Sequence, residues 1–317
     1  MDLIAFSLEP VAPFRLDLTV WALRRRPENT IDRWDGSTYR RILIAQEHPV
    51  EVEIIQTGPS DKPLLRIATT GARLSPDTKT LVISALTRML GINADLTGFY
   101  RFAEHQPKLD AIARQFKGVK PPRFPTVFEA LVNAIACQQV SQTVGILFIN
   151  RLAQRYARSI EKQGEVFHGF PDPEDLAPLA PEALRTLGFS YQKARAIIEL
   201  ASAIAEKRLN LDELNNLDNQ TAVDRLIKLR GVGRWTAEYV LLRGVGRRQV
   251  FPGDDVGARN NLQRWLGLSE TLDYQGVRES IAPWSTYGGL IYFHLLLKRL
   301  ADAGFLDSGK ETGRRDD

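Results

Sequence analysis

The hydrophobic pattern of this 317-residue chain changes period once, at the basic, proline-rich stretch Lys117-Gly118-Val119-Lys120-Pro121-Pro122-Arg123-Phe124-Pro125. Before it, apolar and polar residues alternate: Phe14, Leu16, Leu18 and Val20, then Val50, Val52 and Ile54, then Leu65 and Ile67. Alternation buries one face of a strand and wets the other, so each run reads as a β-strand. Thr57-Gly58-Pro59-Ser60-Asp61 supplies turn residues between two of them. One helix closes the region. Ser75 can cap it, Pro76 suits its first position, Val82, Ala85, Leu86, Met89 and Leu90 form its apolar face, and Gly91 can end it. Residues 1–108 are therefore expected to form an α+β domain with an antiparallel sheet.

Beyond the proline stretch the apolar spacing is helical almost throughout. Thr126-Val127-Phe128-Glu129 reads as a capping box, with Leu131, Val132 and Ile135 following at helical spacing. Further helices are predicted near 144–156, 181–186, 192–206, 221–229, 234–243, 256–266 and 284–301. Residues 109–305 are expected to be an all-α core of two subdomains flanking a cleft, and residues 306–317 a disordered polar tail.

The single cysteine, Cys137, excludes an internal disulfide and a cluster needing four thiolates, so no iron–sulfur cluster is expected. His48, His105, His168 and His294 show no metal-ligand spacing. No apolar run approaches the roughly 20 residues of a membrane span, and Met1-Asp2-Leu3-Ile4 lacks the basic start of a signal peptide. The expected setting is the cytoplasm, with no membrane partner. A formal net charge of +4 is compatible with a polyanionic partner without establishing one.

Leu229-Arg230-Gly231-Val232-Gly233-Arg234-Trp235-Thr236-Ala237 lies between one helical face, Val223, Leu226 and Ile227, and the next, Val240 and Leu241. Two glycines around one apolar residue permit a tight turn with positive φ and close approach of another backbone. Val232 would plug the turn into the core, while the amides of Gly231 and Gly233 and the free N–H groups of the next helix point at an anion. With Arg234 alongside, a DNA phosphate is the natural ligand, held without regard to sequence. Shortly after comes Val250-Phe251-Pro252-Gly253-Asp254-Asp255, a turn that delivers two aspartates to a helix start, where peptide dipoles favour ionised carboxylates.

Together these segments resemble the helix-hairpin-helix (HhH-GPD) superfamily of DNA glycosylases. The resemblance is to the 3-methyladenine DNA glycosylase II branch, also through Ile135-Ala136-Cys137-Gln138-Gln139-Val140-Ser141, Leu187-Gly188-Phe189-Ser190-Tyr191-Gln192-Lys193-Ala194 and Pro283-Trp284-Ser285-Thr286-Tyr287. It implies that Asp255 is the catalytic carboxylate, stabilising positive charge on the sugar and orienting water, with Asp254 left as a cap. Strand-cleaving relatives carry a lysine where this chain has Trp235, so a monofunctional enzyme leaving an abasic site is expected. The resemblance puts Trp235, Tyr239 and Trp284 around the base, because electron-rich rings stack on cationic alkylpurines. Trp21 of the N-terminal domain is a further candidate for that pocket. The resemblance also puts Gln138 and Gln139 at the minor-groove wedge that replaces a flipped nucleotide.

By the same resemblance Gly231, Val232, Gly233, Arg234 and Thr236 contact DNA, and the main-chain carbonyls of Leu229 and Val232 hold a monovalent cation, Na⁺ or K⁺. Arg243, Arg247 and Arg248 are candidate phosphate contacts. The N-terminal domain would resemble half of the TATA-binding-protein fold. The expected partner is double-stranded DNA containing damaged bases, the expected state a monomer. Two alternatives stand beside this reading: a bifunctional 8-oxoguanine-type glycosylase/lyase, and a non-catalytic helix-hairpin-helix DNA-binding protein.

Overall fold

Five strands in the first 71 residues build one antiparallel sheet in the order β1-β5-β4-β3-β2. They are β1 (Asp2–Leu8), β2 (Arg33–Trp34), β3 (Thr38–Ala45), β4 (His48–Gln56) and β5 (Leu65–Gly71). The architecture is that of a computed structural model, which describes residues 2–306. Apart from Leu306, the tail expected at 306–317 lies outside the described residues.

Register explains the sheet's buried face. Tyr39 lies opposite Ile54, Leu43 opposite Val50, and Ile54 opposite Ile67, so these apolar residues share one side. That side is covered by α1 (Leu16–Arg24) and α2 (Pro76–Leu90). The α2 boundaries fall as the sequence indicates: Ser75 Oγ accepts the Thr78 amide at 3.3 Å, Pro76 is the first helical residue, and Gly91 ends the helix at φ 59°.

Helix α1 corrects the strand expected from Phe14, Leu16, Leu18 and Val20. Besides the alternating leucines and Val20, Thr19, Ala22 and Leu23 are also buried. A helix covered on nearly every side needs apolar residues at most positions, so two-residue alternation ceases to distinguish it from a strand.

The helices α3 (Thr97–Ala103) and α4 (Pro107–Gln115) pack their Phe99, Ala103, Leu109 and Ile112 with the final helix rather than with the sheet. Packing therefore favours a domain junction before Thr97 over one at residue 108. The rest of the helical half comprises α5 (Val127–Cys137), α6 (Gln142–Tyr156), α7 (Pro173–Leu176), α8 (Pro181–Arg185), α9 (Tyr191–Ala205), α10 (Asn219–Leu226), α11 (Arg234–Val240), α12 (Val256–Leu266), α13 (Tyr274–Ile281) and α14 (Gly288–Asp302).

It is not purely helical. A hairpin, β6 (Ser159–Lys162) and β7 (Glu165–His168), turns at Gln163 and Gly164, both at positive φ. Lys162 Nζ lies 2.7 Å from Glu51 and from Glu53, and the Arg33 guanidinium stacks 3.9 Å above Phe167, so the hairpin is pinned to the N-terminal sheet. Four-residue strands are too short for periodicity to reveal.

The two halves also meet through buried charge. Thr126 Oγ1 accepts the Glu129 amide at 3.0 Å, as a cap should, but Glu129 does not complete the capping box. Both its carboxylate oxygens accept from Arg41 Nη2 at 2.7 Å, while Arg41 Nη1 reaches Asp32 at 2.6 Å. A buried guanidinium without counter-charge costs more than an unfinished cap, so the ion pair takes the carboxylate.

Candidate active site

The loop 251–255 is fixed from α11 before it delivers its aspartates. Glu238 accepts the Gly253 amide at 3.0 Å on one oxygen and the Tyr274 hydroxyl at 2.7 Å on the other. Burial raises the Glu238 carboxyl above its ordinary range, against the lowering effect of these two donors. A Cβ on residue 253 would stand 2.8 Å from the Tyr274 ring, so the loop requires glycine there.

The two aspartates divide their tasks differently from the sequence expectation. Asp255, not Asp254, caps α12: its Oδ1 accepts the Ala258 amide at 2.9 Å. Its Oδ2 accepts the indole N–H of Trp235 at 3.2 Å. Asp254 instead pairs with Arg234 at 2.7 Å, and that guanidinium lies 3.6 Å over the Tyr274 ring. The cap goes to Asp255 because it immediately precedes the first helical residue, where its side chain reaches the third amide.

Asp255 stands at a seam between two apolar clusters. Trp235 and Tyr239 belong with the cluster containing the sheet, α5 and α9, whereas α12 and α14 share the other. Trp235 is half-buried and tilts against Tyr239 with ring centroids 5.7 Å apart. Tyr239 is 3% exposed, and its hydroxyl accepts from Arg25 Nη1 at 2.8 Å. Burial pushes the Tyr239 phenol up despite the neighbouring Arg243 and Arg25. Burial and then the Asp255 charge push up that of Tyr292 on α14. Three of the expected residues, Asp255, Trp235 and Tyr239, are thus brought into one cluster.

Trp284 packs with the other cluster, the one that holds α12 and α14. It lies in the 3₁₀ turn before α14 and pairs with Trp265 of α12 at 5.3 Å, its Nε1 buried without a partner. Trp21 stacks on Phe305 at 5.8 Å, in the second cluster.

The hairpin separates its two glycines. Gly231 has φ 73°, and a Cβ there would lie 2.8 Å from the Ala196 Cβ. Gly233 has ordinary φ of −97° and a Cβ there would meet nothing within 4 Å. Val232, 6% exposed, plugs the turn into the core. Gly233 offers no side-chain cap to α11, so the first amides of that helix keep their capacity to bind a ligand. Gln138 braces the turn by donating Nε2 to Gly231 O at 2.7 Å and to Thr236 Oγ1 at 3.0 Å, while Val232 N–H bonds Leu229 O at 3.2 Å. Gln139 is exposed in the left-handed region, φ 52°, at the tip following α5.

Arg243 is not a phosphate contact. A π-helical turn, Leu241–Val245, continues α11 and takes Arg243 inside, where Nη2 donates to Ala22 O and Leu23 O at 2.8 and 3.0 Å. Arg247 is likewise occupied by the Leu214 and Leu217 carbonyls, and Arg248 by Asp95 O.

Sequence reasoning also missed three supporting residues. Glu238 holds the aspartate loop, Lys193 donates to Ala136 O and Gln138 O at the end of α5, and Arg25 bonds Tyr239 and Asn133. A charge run such as Arg24-Arg25-Arg26 reads as surface, and nothing local marks its middle member as buried.

Comparison with known proteins agrees with this geometry. Residues 132–286 match the family described as HhH-GPD superfamily base excision DNA repair protein. A DNA-3-methyladenine glycosylase of Bacillus subtilis (strain 168) is 29% identical over 214 residues, 68% of this chain and 71% of that one. A 3-methyladenine DNA-glycosylase from Archaeoglobus fulgidus superposes with a TM-score of 0.80 at 26% identity, covering 92% of this chain and 97% of that one. A Clostridium acetobutylicum 8-oxoguanine glycosylase/lyase bound to double-stranded DNA reaches a TM-score of 0.74 at 16% identity, covering 96% of this chain and all of that one; that likeness concerns the fold alone.

Proposed function

Residues 132–286 place this chain in the HhH-GPD superfamily of base excision DNA repair proteins, and on that premise we propose a monofunctional glycosylase that hydrolyses the N-glycosidic bond of alkylated purines in duplex DNA. One observation carries the reading: Asp255 is held by hydrogen bonds at both oxygens, one of them from the residue where a strand-cleaving enzyme needs lysine. The proposed setting is a cytoplasmic, nucleoid-associated monomer. Among the described residues no helix is long and apolar enough to cross a membrane.

The hairpin amides around Gly233 hold a phosphate, and the damaged nucleotide turns out of the duplex. Gln139 at its exposed tip fills the gap, and Trp235, Tyr239 and Trp284 take the base. The C1′–N bond breaks with its electron pair going to the base, while the water oxygen bonds to C1′. Asp255 stabilises the positive sugar and receives the water proton, and an N7- or N3-alkylated purine leaves as a neutral molecule without a general acid. A monovalent cation suits the Leu229 and Val232 carbonyls, because the Leu229 oxygen keeps a second lone pair beyond its bond to Val232. The cation steadies the phosphate grip, and the hydrolytic step belongs to Asp255.

Mass analysis of bases released from methylated duplex DNA tests the reading. N3-methyladenine or N7-methylguanine is expected from the native protein, and neither from Asp255→Asn, which still binds duplex. Absence of both from the native protein overturns the assignment. A borohydride-stable adduct with DNA would instead support the glycosylase/lyase alternative.

A further inference from the structure

Just past α5 the chain adopts a backbone conformation that needs outside support. Gln139 is exposed at φ 52°, in the left-handed region that favours glycine. A residue with a side chain stays there only where the surrounding structure over-determines it. Gln138 precedes it in an extended conformation at the end of α5. On the other side Ser141 Oγ accepts the Val144 amide at 3.3 Å and starts α6. Gln139 and Val140 alone lie between these two fixed ends, and both are exposed.

What holds Gln138 comes from elsewhere in the chain. Lys193 of α9 donates Nζ to Gln138 O at 2.6 Å and to Ala136 O at 3.0 Å. The Gln138 side chain donates to Gly231 O and Thr236 Oγ1, so the same residue is tied to the turn around Gly231. Glu199, on the same helix as Lys193, pairs instead with Arg195 and Arg230, each at 2.7 Å. A lysine that merely capped α5 would need only the free carbonyls of its last turn, and Ala136 O is one of these. Gln138 O lies beyond the last helical residue. It belongs to the peptide whose nitrogen is that of Gln139, so the shorter of the two bonds sets the plane from which Gln139 departs. A side chain that fills the stack must be in place as the damaged nucleotide leaves, and a tip without this hold adds its own ordering cost to flipping.

Resting on the flipping step proposed above, we infer that Lys193 is a positioning residue for nucleotide flipping, locking the Gln138–Gln139 peptide so that Gln139 enters the duplex preformed. Lys193 acts through Gln139, and the hydrolytic step stays with Asp255.

The test measures single-turnover release of 7-methylguanine from two duplexes. One has cytosine opposite the lesion; the other has an abasic-site analogue there, so that no pairing resists flipping. Lys193→Met keeps the aliphatic stem and loses the ammonium. It is expected to slow release roughly tenfold or more from the cytosine duplex and less than about threefold from the abasic one. Lys193→Arg, which can still donate to both carbonyls, is expected to restore most of the loss. Gln139→Gly suits the left-handed φ and leaves no side chain to insert, so in that background Lys193→Met should slow the cytosine duplex less than about threefold further. Equal slowing on both duplexes, no slowing on the cytosine duplex, or an undiminished effect in the Gln139→Gly background overturns the inference while leaving the glycosylase assignment standing. Should Lys193→Met not fold, Lys193→Gln, one atom shorter and unable to hold both carbonyls, is read in the same way. Failure of the native protein to release 7-methylguanine from either duplex overturns the assignment on which the inference rests.

Discussion

Trp235 Nε1 stands 3.2 Å from Asp255 Oδ2, on the carboxylate oxygen opposite the one that caps α12. The backbone restrains one oxygen and an indole the other, so the carboxylate cannot rotate without losing a bond. A group that must stabilise a developing positive sugar benefits from being fixed before the reaction begins.

Removing only the indole donor should therefore slow chemistry while sparing binding. Trp235→Phe keeps an aromatic ring but cannot donate to Asp255. A hydrogen bond to a charged group is worth about 1.5–3 kcal/mol, so the single-turnover rate should fall roughly 10- to 100-fold. Duplex affinity, read by anisotropy, should change less than about threefold. An unchanged rate would remove Trp235 from this role.

The capping oxygen of Asp255 makes a separate prediction for stability. Asparagine caps about as well as aspartate but turns its NH2 group toward the Trp235 indole, so Asp255→Asn should keep the cap and lose only the Trp235 hydrogen bond. Asp255→Ala loses both and should be less stable than Asp255→Asn by about 1 kcal/mol. Equal stabilities for the two variants, by thermal or denaturant melts, would contradict the capping geometry.

The two hairpin glycines should fail in different assays. Gly231→Ala meets both a positive φ and the Ala196 Cβ at 2.8 Å, so it should lower stability by about 1 kcal/mol or more. Gly233→Ala adds a methyl group into open space and should leave the melting temperature within about 2 °C. It should nevertheless weaken duplex binding several-fold, because the methyl group obstructs close approach of a phosphate. Undiminished binding by Gly233→Ala would relocate the phosphate contact.

Glu129 predicts a pH dependence. Burial pushes its carboxyl up to about 7, even against the opposing Arg41 charge. The native state therefore holds a proton that the unfolded state releases from about pH 4.5, and stability falls as pH rises from there to 7. Across that window Glu129→Gln, with no proton to lose, should show a flatter decline in melting temperature by about 2 °C or more. Parallel curves for the two proteins would contradict the raised carboxyl.

How much of this was readable beforehand follows from the range of each interaction. The α2 helix was legible because its signals are local: Ser75, Pro76 and Gly91 act within one turn of themselves. The hairpin was legible for the same reason, since Gly231 and Val232 perform their tasks through neighbouring backbone. Helix α1 was not, because what makes it a helix is the sheet on one side and α14 on the other.

The sequence by itself determined the split between a sheet-bearing and a helical half, the hairpin, and the presence of an aspartate at a helix start beside an aromatic-rich segment. Only the tertiary structure decided which aspartate is the cap, that Arg234 is paired with Asp254, and that Arg243 turns inward rather than toward solvent. It also decided that Arg25, more than two hundred residues away in the chain, lies against Tyr239. A carboxylate or guanidinium has the same covalent structure in every setting. Its partner is chosen by whichever opposite charge, amide or ring the fold brings within hydrogen-bonding distance, and that distance is not written in local sequence.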